Sequence, residues 1–354
     1  MDEKIYQRLR EHLDSLPTGY PKTQSGVELK MLQKLFTEEE AEMACQLKPL
    51  PEKAEEIAQR LGRNPGKVAD FLYHMSRKGL ILRLKLNGAY HYMAAMFIVG
   101  IFEYQVKNLD REMAEIFDEY AREALYAEMI RPQTPQLRVV PVQQSLDAAM
   151  EIQPYDELRK IVESQKTIAL ADCICRKKSS LLDHPCRKPL ETCLLFGATG
   201  EYYIENGMAR KIAVEEALEI LGKNEKAGLV PSPANAQKVG GMCSCCACCC
   251  GVLKAVKLDP QPSSRVKSNY FARVDEDLCA GCETCLERCQ MEAIFMEDDR
   301  ANIDLKRCVG CGLCVTTCPT KALSLFRKKP KELYVPPAKP FDTYLQIAKE
   351  MGKI

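Results

Sequence analysis

The chain has 354 residues, room for two or three domains, with 46% hydrophobic residues and a formal net charge of +1. Its departure from an ordinary globular composition is its 19 cysteines. The opening Met1-Asp2-Glu3-Lys4 starts a polar helix with no apolar signal core, and the apolar run Tyr92 to Phe102 is about half a membrane span, so secretion and membrane insertion are not expected. A cytoplasmic setting follows, in which thiols stay reduced and dense cysteines point to metal rather than disulfides.

Charge is spread unevenly. Residues 1–130 carry 18 Lys+Arg against 21 Asp+Glu, a balance of −3, and residues 300–354 carry 11 against 4, a balance of +7. The basic end could dock an acidic redox partner; keeping a tail in solution is the simpler use of the same lysines.

Glu3 to Ser15 is expected as a short helix, broken by Pro17-Thr18-Gly19. Thr37-Glu38-Glu39-Glu40 has the form of a capping box and opens a second helix, on which Cys45 is a small buried hydrophobe. Pro51 to Leu61 is a further helix ended by Gly62, and Asn64-Pro65 opens another that stops at Gly79. Leu80 to Leu86 and Ala89 to Met93 form a hairpin about Asn87-Gly88. This order resembles a winged helix-turn-helix. A long amphipathic helix follows from about Asp110 to Met129. For DNA the expected third helix offers Lys67, Arg77 and Lys78 beside Asp70, and the wing offers Arg83 and Lys85. Within a net acidic domain that is a poor footprint for a groove binder, so nucleic acid is not the expected partner. Docking to protein, including homodimer formation through this domain, is favoured.

Pro132 to Pro141 reads as a linker with a short strand at Leu137 to Val140. Pro154 to Glu163 is expected as a helix, Thr167 to Ala171 as a buried strand, Leu194 to Phe196 as a strand stopped by Gly197, and Val214 to Leu221 as a helix. Alternating strands and helices suggest a small α/β domain. It carries Cys173, Cys175, Cys186 and Cys193, then Cys243, Cys245, Cys246, Cys248, Cys249 and Cys250. Ten thiols exceed what one cubane needs, and Cys248, Cys249 and Cys250 cannot all face one cube. Cys246-x2-Cys249 and Cys245-x2-Cys248 each have a step suited to a shared metal. One further iron–sulfur centre, or two, or one larger non-cubane cluster, is expected on a subset of these ten, with zinc or a reduced thiol cluster as the plainer alternative. His184, in a His-Pro turn, is read as a surface residue rather than a ligand.

The most informative stretch comes last. Cys279-x2-Cys282-x2-Cys285-x3-Cys289 repeats 29 residues on as Cys308-x2-Cys311-x2-Cys314-x3-Cys318-Pro319. Two such runs are the ligand pattern of a bacterial-type ferredoxin with two [4Fe–4S] clusters, in which the last cysteine of each run serves the other cluster. Cys279, Cys282, Cys285 and Cys318 are thereby assigned to one cluster, and Cys308, Cys311, Cys314 and Cys289 to the second. Gln290 stands where the second run has Pro319, which predicts a looser turn in the first half. Pro330 to Pro340 is expected to be extended, with a last helix at Phe341 to Met351 packing back on the body.

Taken with Thr23-Gln24-Ser25-Gly26-Val27-Glu28, the Cys173 to Arg176 stretch, Cys193 to Gly197 and the block at 243–250, the chain resembles, over nearly its full length, a family of 4Fe-4S dicluster ferredoxin-like proteins of anaerobic bacteria and archaea. The resemblance implies iron–sulfur electron transfer and no settled substrate. The expectation is an α+β multidomain protein: a winged-helix-like domain over 1–130, a cysteine-rich α/β domain over 131–262, a 2[4Fe–4S] ferredoxin domain over 263–328 and a Pro/Lys-rich tail over 329–354. It would relay single electrons to or from redox partner proteins. The alternatives are a redox-sensing winged-helix regulator and an oxidoreductase with an unusual catalytic cluster. No dinucleotide fingerprint or phosphate loop is present to suggest another cofactor.

Overall fold

A computed structural model describes residues 3–147 and 150–354. Of the expected opening helix, Met1 and Asp2 lie outside the described residues; the helix runs Glu3–Ser15. The molecule is a mixture of helix and sheet.

The amino-terminal part has helices Val27–Leu35, Glu38–Ala44, Ala54–Leu61 and Pro65–Arg77, with a small antiparallel sheet of Glu52–Lys53, Leu82–Leu86 and Ala89–Met93. Local chemistry sets their ends. The Thr37 hydroxyl accepts from the Glu40 amide at 3.3 Å, while Glu40 accepts from the Thr37 amide at 2.8 Å. Asn64 caps the Pro65–Arg77 helix through the Lys67 amide. Asn87 and Gly88 both take positive φ, as a two-residue hairpin turn of this hand requires. The helix expected at 110–129 runs Arg111–Tyr120, widens into a π turn at Ala121–Leu125 and resumes over Tyr126–Ile130. Val27–Leu35 was not expected as a helix. The expected Pro51 to Leu61 helix begins only at Ala54, because Glu52–Lys53 is taken up as an edge strand.

The middle part is built on five strands in spatial order Arg210–Ile212, Ile168–Asp172, Glu191–Phe196, Gly241–Cys245 and Val230–Pro233, every pairing antiparallel. Strand–helix alternation suggests parallel neighbours, and the sheet corrects that picture. Its faces alternate residue by residue. Ile168, Leu170, Leu194 and Phe196 face helices Leu158–Glu163 and Val214–Lys226, while Ala169, Ala171 and Leu195 join the amino-terminal core. With both faces covered, Ile168 to Ala171 reads as an unbroken apolar run.

Gly197 stops the strand, as expected, and at φ +53° it turns the chain into helix Gly197–Glu205, where a Cβ on Gly200 would lie 2.9 Å from the Leu195 carbonyl. That close seat places Tyr202 between the end of the Pro65–Arg77 helix and the start of the hairpin: its hydroxyl lies 2.9 Å from the Ser76 carbonyl and 3.0 Å from the Ile81 carbonyl. Leu137 to Val140 forms a single bridge, Leu137 to Ala234, rather than a strand. Pro154–Asp156 is a tight turn and the helix proper begins at Leu158, since a proline suits a first turn but supplies no amide.

In the last part Tyr270–Val274 pairs with Leu323–Arg327, and Ile294–Glu297 pairs with Arg300–Ile303. The tail straps the parts together. The Gln237 and Lys238 amides donate to Pro337 and Ala338, Tyr334 exchanges hydrogen bonds with Asn269, and Glu350 at the end of helix Pro340–Glu350 accepts from Thr134.

Candidate metal centres

The two cysteine runs line two cavities of similar open volume, about 340 and 390 Å³ including space open to solvent. Cys279, Cys282, Cys285 and Cys318 line one, with Val274, Met296 and Leu323. Cys308, Cys311, Cys314 and Cys289 line the other, with Met291, Ile294 and Leu313. Three thiols come from one run and the fourth from the other. Gly310, at φ +68°, lets the loop turn where a Cβ would strike the Tyr270 carbonyl. Backbone amides point at sulfur: Ala293 donates to Cys289 at 3.2 Å and Ala301 to Cys279 at 3.4 Å. Four thiols in an apolar shell, with N–H donors on the sulfurs, suit an iron–sulfur cluster.

The cavities differ in cover. Cys282 is exposed, and Thr284 donates to its sulfur, which lowers that thiol below the ordinary range. In the second cavity burial pushes the Cys311 thiol up to about 12. The middle part caps this inner cavity. The Val142 amide donates to the Cys311 carbonyl at 2.9 Å, and Arg288 donates to the carbonyls of Lys226 and Glu225. Gln290, expected to loosen its turn, instead accepts from the Ala247 amide at 2.9 Å, inside the second cysteine set.

The ten middle cysteines separate into two groups. Cys186, from the loop before Glu191–Phe196, meets Cys246, Cys248 and Cys249, from the loop after Gly241–Cys245, with all four sulfurs within 4.8 Å of one another. The other six lie close to one another in a string: Cys193 beside Cys243, Cys243 beside Cys245, Cys245 beside Cys250, Cys250 beside Cys175 and Cys175 beside Cys173. Sheet register explains much of it. Leu194 pairs with Met242, which sets Cys193 beside Cys243, and Cys245 follows two residues on along the same face. Cys173 and Cys175 sit where strand Ile168–Asp172 passes into helix Ile174–Leu181. Of the two expected steps, Cys246-x2-Cys249 is brought together; Cys245 and Cys248 fall in different groups because Cys245 is still in the strand and Cys248 in the loop.

His184 is exposed and outside both groups. Cys45 belongs to neither group and is half-buried against the amino-terminal core, where burial raises its thiol.

One functional residue escapes a count of cysteines. Arg176 is 3% exposed, and its guanidinium donates to the carbonyls of Pro189 and Ser244 and to the Thr192 hydroxyl. It also lies close to Cys246, Cys173 and Cys245. Its Nε has no partner among the described residues. A buried cation needs a countercharge, and the groups around this one are thiols of both sets. Its place directly after Cys175 was the available signal.

Neither a curated protein nor a solved structure matches the chain. Residues 272–325 match the family model of the 4Fe-4S dicluster domain. With the thiol groups upstream, that match marks the chain as an iron–sulfur protein.

Proposed function

We propose that the chain relays single electrons through two [4Fe–4S] clusters, the first held by Cys279, Cys282, Cys285 and Cys318 and the second by Cys308, Cys311, Cys314 and Cys289. The carrying observation is the pair of cavities, each completed by a cysteine of the other run. When bound, such clusters supply one-electron chemistry. The residues supply insulation and direction. Cys282 opens the first site to solvent, whereas Cys289 and Cys311 of the second border the same apolar cluster as Cys243, Cys245 and Cys250 of the six-thiol string. A further iron–sulfur centre is placed on that string, giving an order from surface to interior.

The outer site favours a positively charged redox partner. Residues 275–300 hold nine Asp and Glu against two Arg, a balance of −7. The winged-helix-like part serves as a docking module for the rest of its own chain. Arg83 is buried with Asn206 and Glu205, Arg77 donates to the Glu205 carbonyl, and Lys78 pairs with Glu40, so these basic groups are engaged away from any phosphate. Among the described residues no helix is long and apolar enough to cross a membrane.

The test uses anaerobically prepared full chain with iron and sulfide analysis and EPR. Cys318→Ala is expected to disturb the cluster carrying Cys279, Cys282 and Cys285, and Cys289→Ala the other. Loss of the same signal in both variants, or clusters that accept no electron, would overturn the relay.

A further inference from the structure

The four-thiol group differs in kind from the cavities of the cysteine repeat. Cys186 Sγ lies 3.7 Å from Cys248 Sγ and 4.0 Å from Cys246 Sγ, and Cys248 Sγ lies 3.6 Å from Cys249 Sγ. These separations are far longer than a disulfide bond of about 2.05 Å. They match the edge of a tetrahedron, about 3.8 Å for a metal–sulfur bond of about 2.3 Å. Thiolates of a cubane bind four separate irons and stand farther apart. The same chain supplies the contrast: among the described residues only this quartet gathers within 4.8 Å, while the repeat's quartets surround open cavities.

The geometry points to a single divalent ion held tetrahedrally by Cys186, Cys246, Cys248 and Cys249, separate from every iron–sulfur centre in the chain. A closed four-thiolate set leaves no position for a substrate, so the site's role is structural, of the zinc class. Its surroundings need such a staple. The apolar cluster around it has only Leu229, Cys246 and Cys249 fully buried. Sixty residues separate Cys186 from Cys246, and the loop holding Cys186 has no regular structure between Leu181 and Glu191. An ion shared by two loops replaces the core they lack. Four thiolates around a divalent ion carry a net −2, and the Arg176 guanidinium against Cys246 offsets part of it.

Metal and sulfide analysis of the anaerobic full chain tests this. One equivalent of zinc, or of iron unmatched by sulfide, is expected beyond the sulfide-matched iron. The double variant Cys186→Ser, Cys248→Ser should lose that equivalent and keep its sulfide. Loss of about four irons together with four sulfides, or no loss of any ion, overturns the site. Should the variant fail to fold, X-ray absorption of wild type at the edge of the extra ion decides: four sulfurs at about 2.3 Å and no iron neighbour support it. An iron neighbour or a shell of oxygen overturns it. The electron relay is judged on sulfide-matched iron, so the two proposals fail separately.

Discussion

Gln290 shows what a single side chain contributes at the junction of the two cysteine-rich parts. A proline there would stiffen its own turn, whereas the amide side chain reaches the Ala247 backbone in the other cysteine set. Gln290→Ala should cost about 1 kcal/mol and speed hydrogen exchange of the 246–249 amides, with the Cys279 side unchanged. Pro319 made the substitution visible in the sequence, but only the partner's position reveals its use. Arg83 teaches the same lesson. A basic residue on a hairpin reads as a phosphate contact; here its guanidinium lies over Tyr73 and Tyr90 and bonds Asn206, a partner 123 residues away. The eight cysteines of the repeat were legible because their spacing is itself the geometry. The division of the other ten was not, since it depends on which loops the sheet brings together.

Elements were legible where their caps and periods are local. The Thr37 box, the Asn64 cap and the Asn87-Gly88 turn all lie within a few residues of what they organise. Gly197–Glu205 was missed because Gly-Ala-Thr-Gly has no apolar stripe, and its helical state rests on packing between sheet and hairpin. That packing is testable through Arg83→Met, which strips Glu205 and Asn206 of a buried partner. A loss of about 2 kcal/mol is expected, below the full cost of breaking a buried pair because Glu205 remains a third exposed. Denaturant unfolding would measure it. The turn before Phe102 supplies a pH response. The Glu103 carboxylate accepts from the Gly100 amide at 2.8 Å, and burial raises its pKa to about 8 from an ordinary 4.5. Between those values the folded chain binds more protons than the unfolded chain, so this group's stabilisation is full below about 4.5 and disappears as pH rises through 8. Protection factors of residues 97–104, which remove the intrinsic pH dependence of exchange, should therefore fall as pH rises from 5 to 8, and Glu103→Gln should flatten the fall.

At the scale of the molecule, a net charge of +1 conceals a concentration of exposed acids. Asp275, Glu276, Asp277, Glu283, Glu297, Asp298 and Asp299 are exposed on the part that carries the outer site. The basic count of residues 300–354 belongs to other side chains of the chain. The reduced protein should pass electrons to a cationic cobalt complex about tenfold faster than to an anionic one of equal driving force at low salt. Stopped-flow rates should converge as salt is added. The graded exposure of the thiols has one more consequence. Within the repeat, an oxidant arriving from solvent meets Cys282 first, whereas Cys314 lies behind protein, as do Cys245 and Cys250 of the string. On the proposed reading the outermost site is a fuse: damage there opens the circuit and isolates the interior centres, and repair need rebuild only the site nearest the surface.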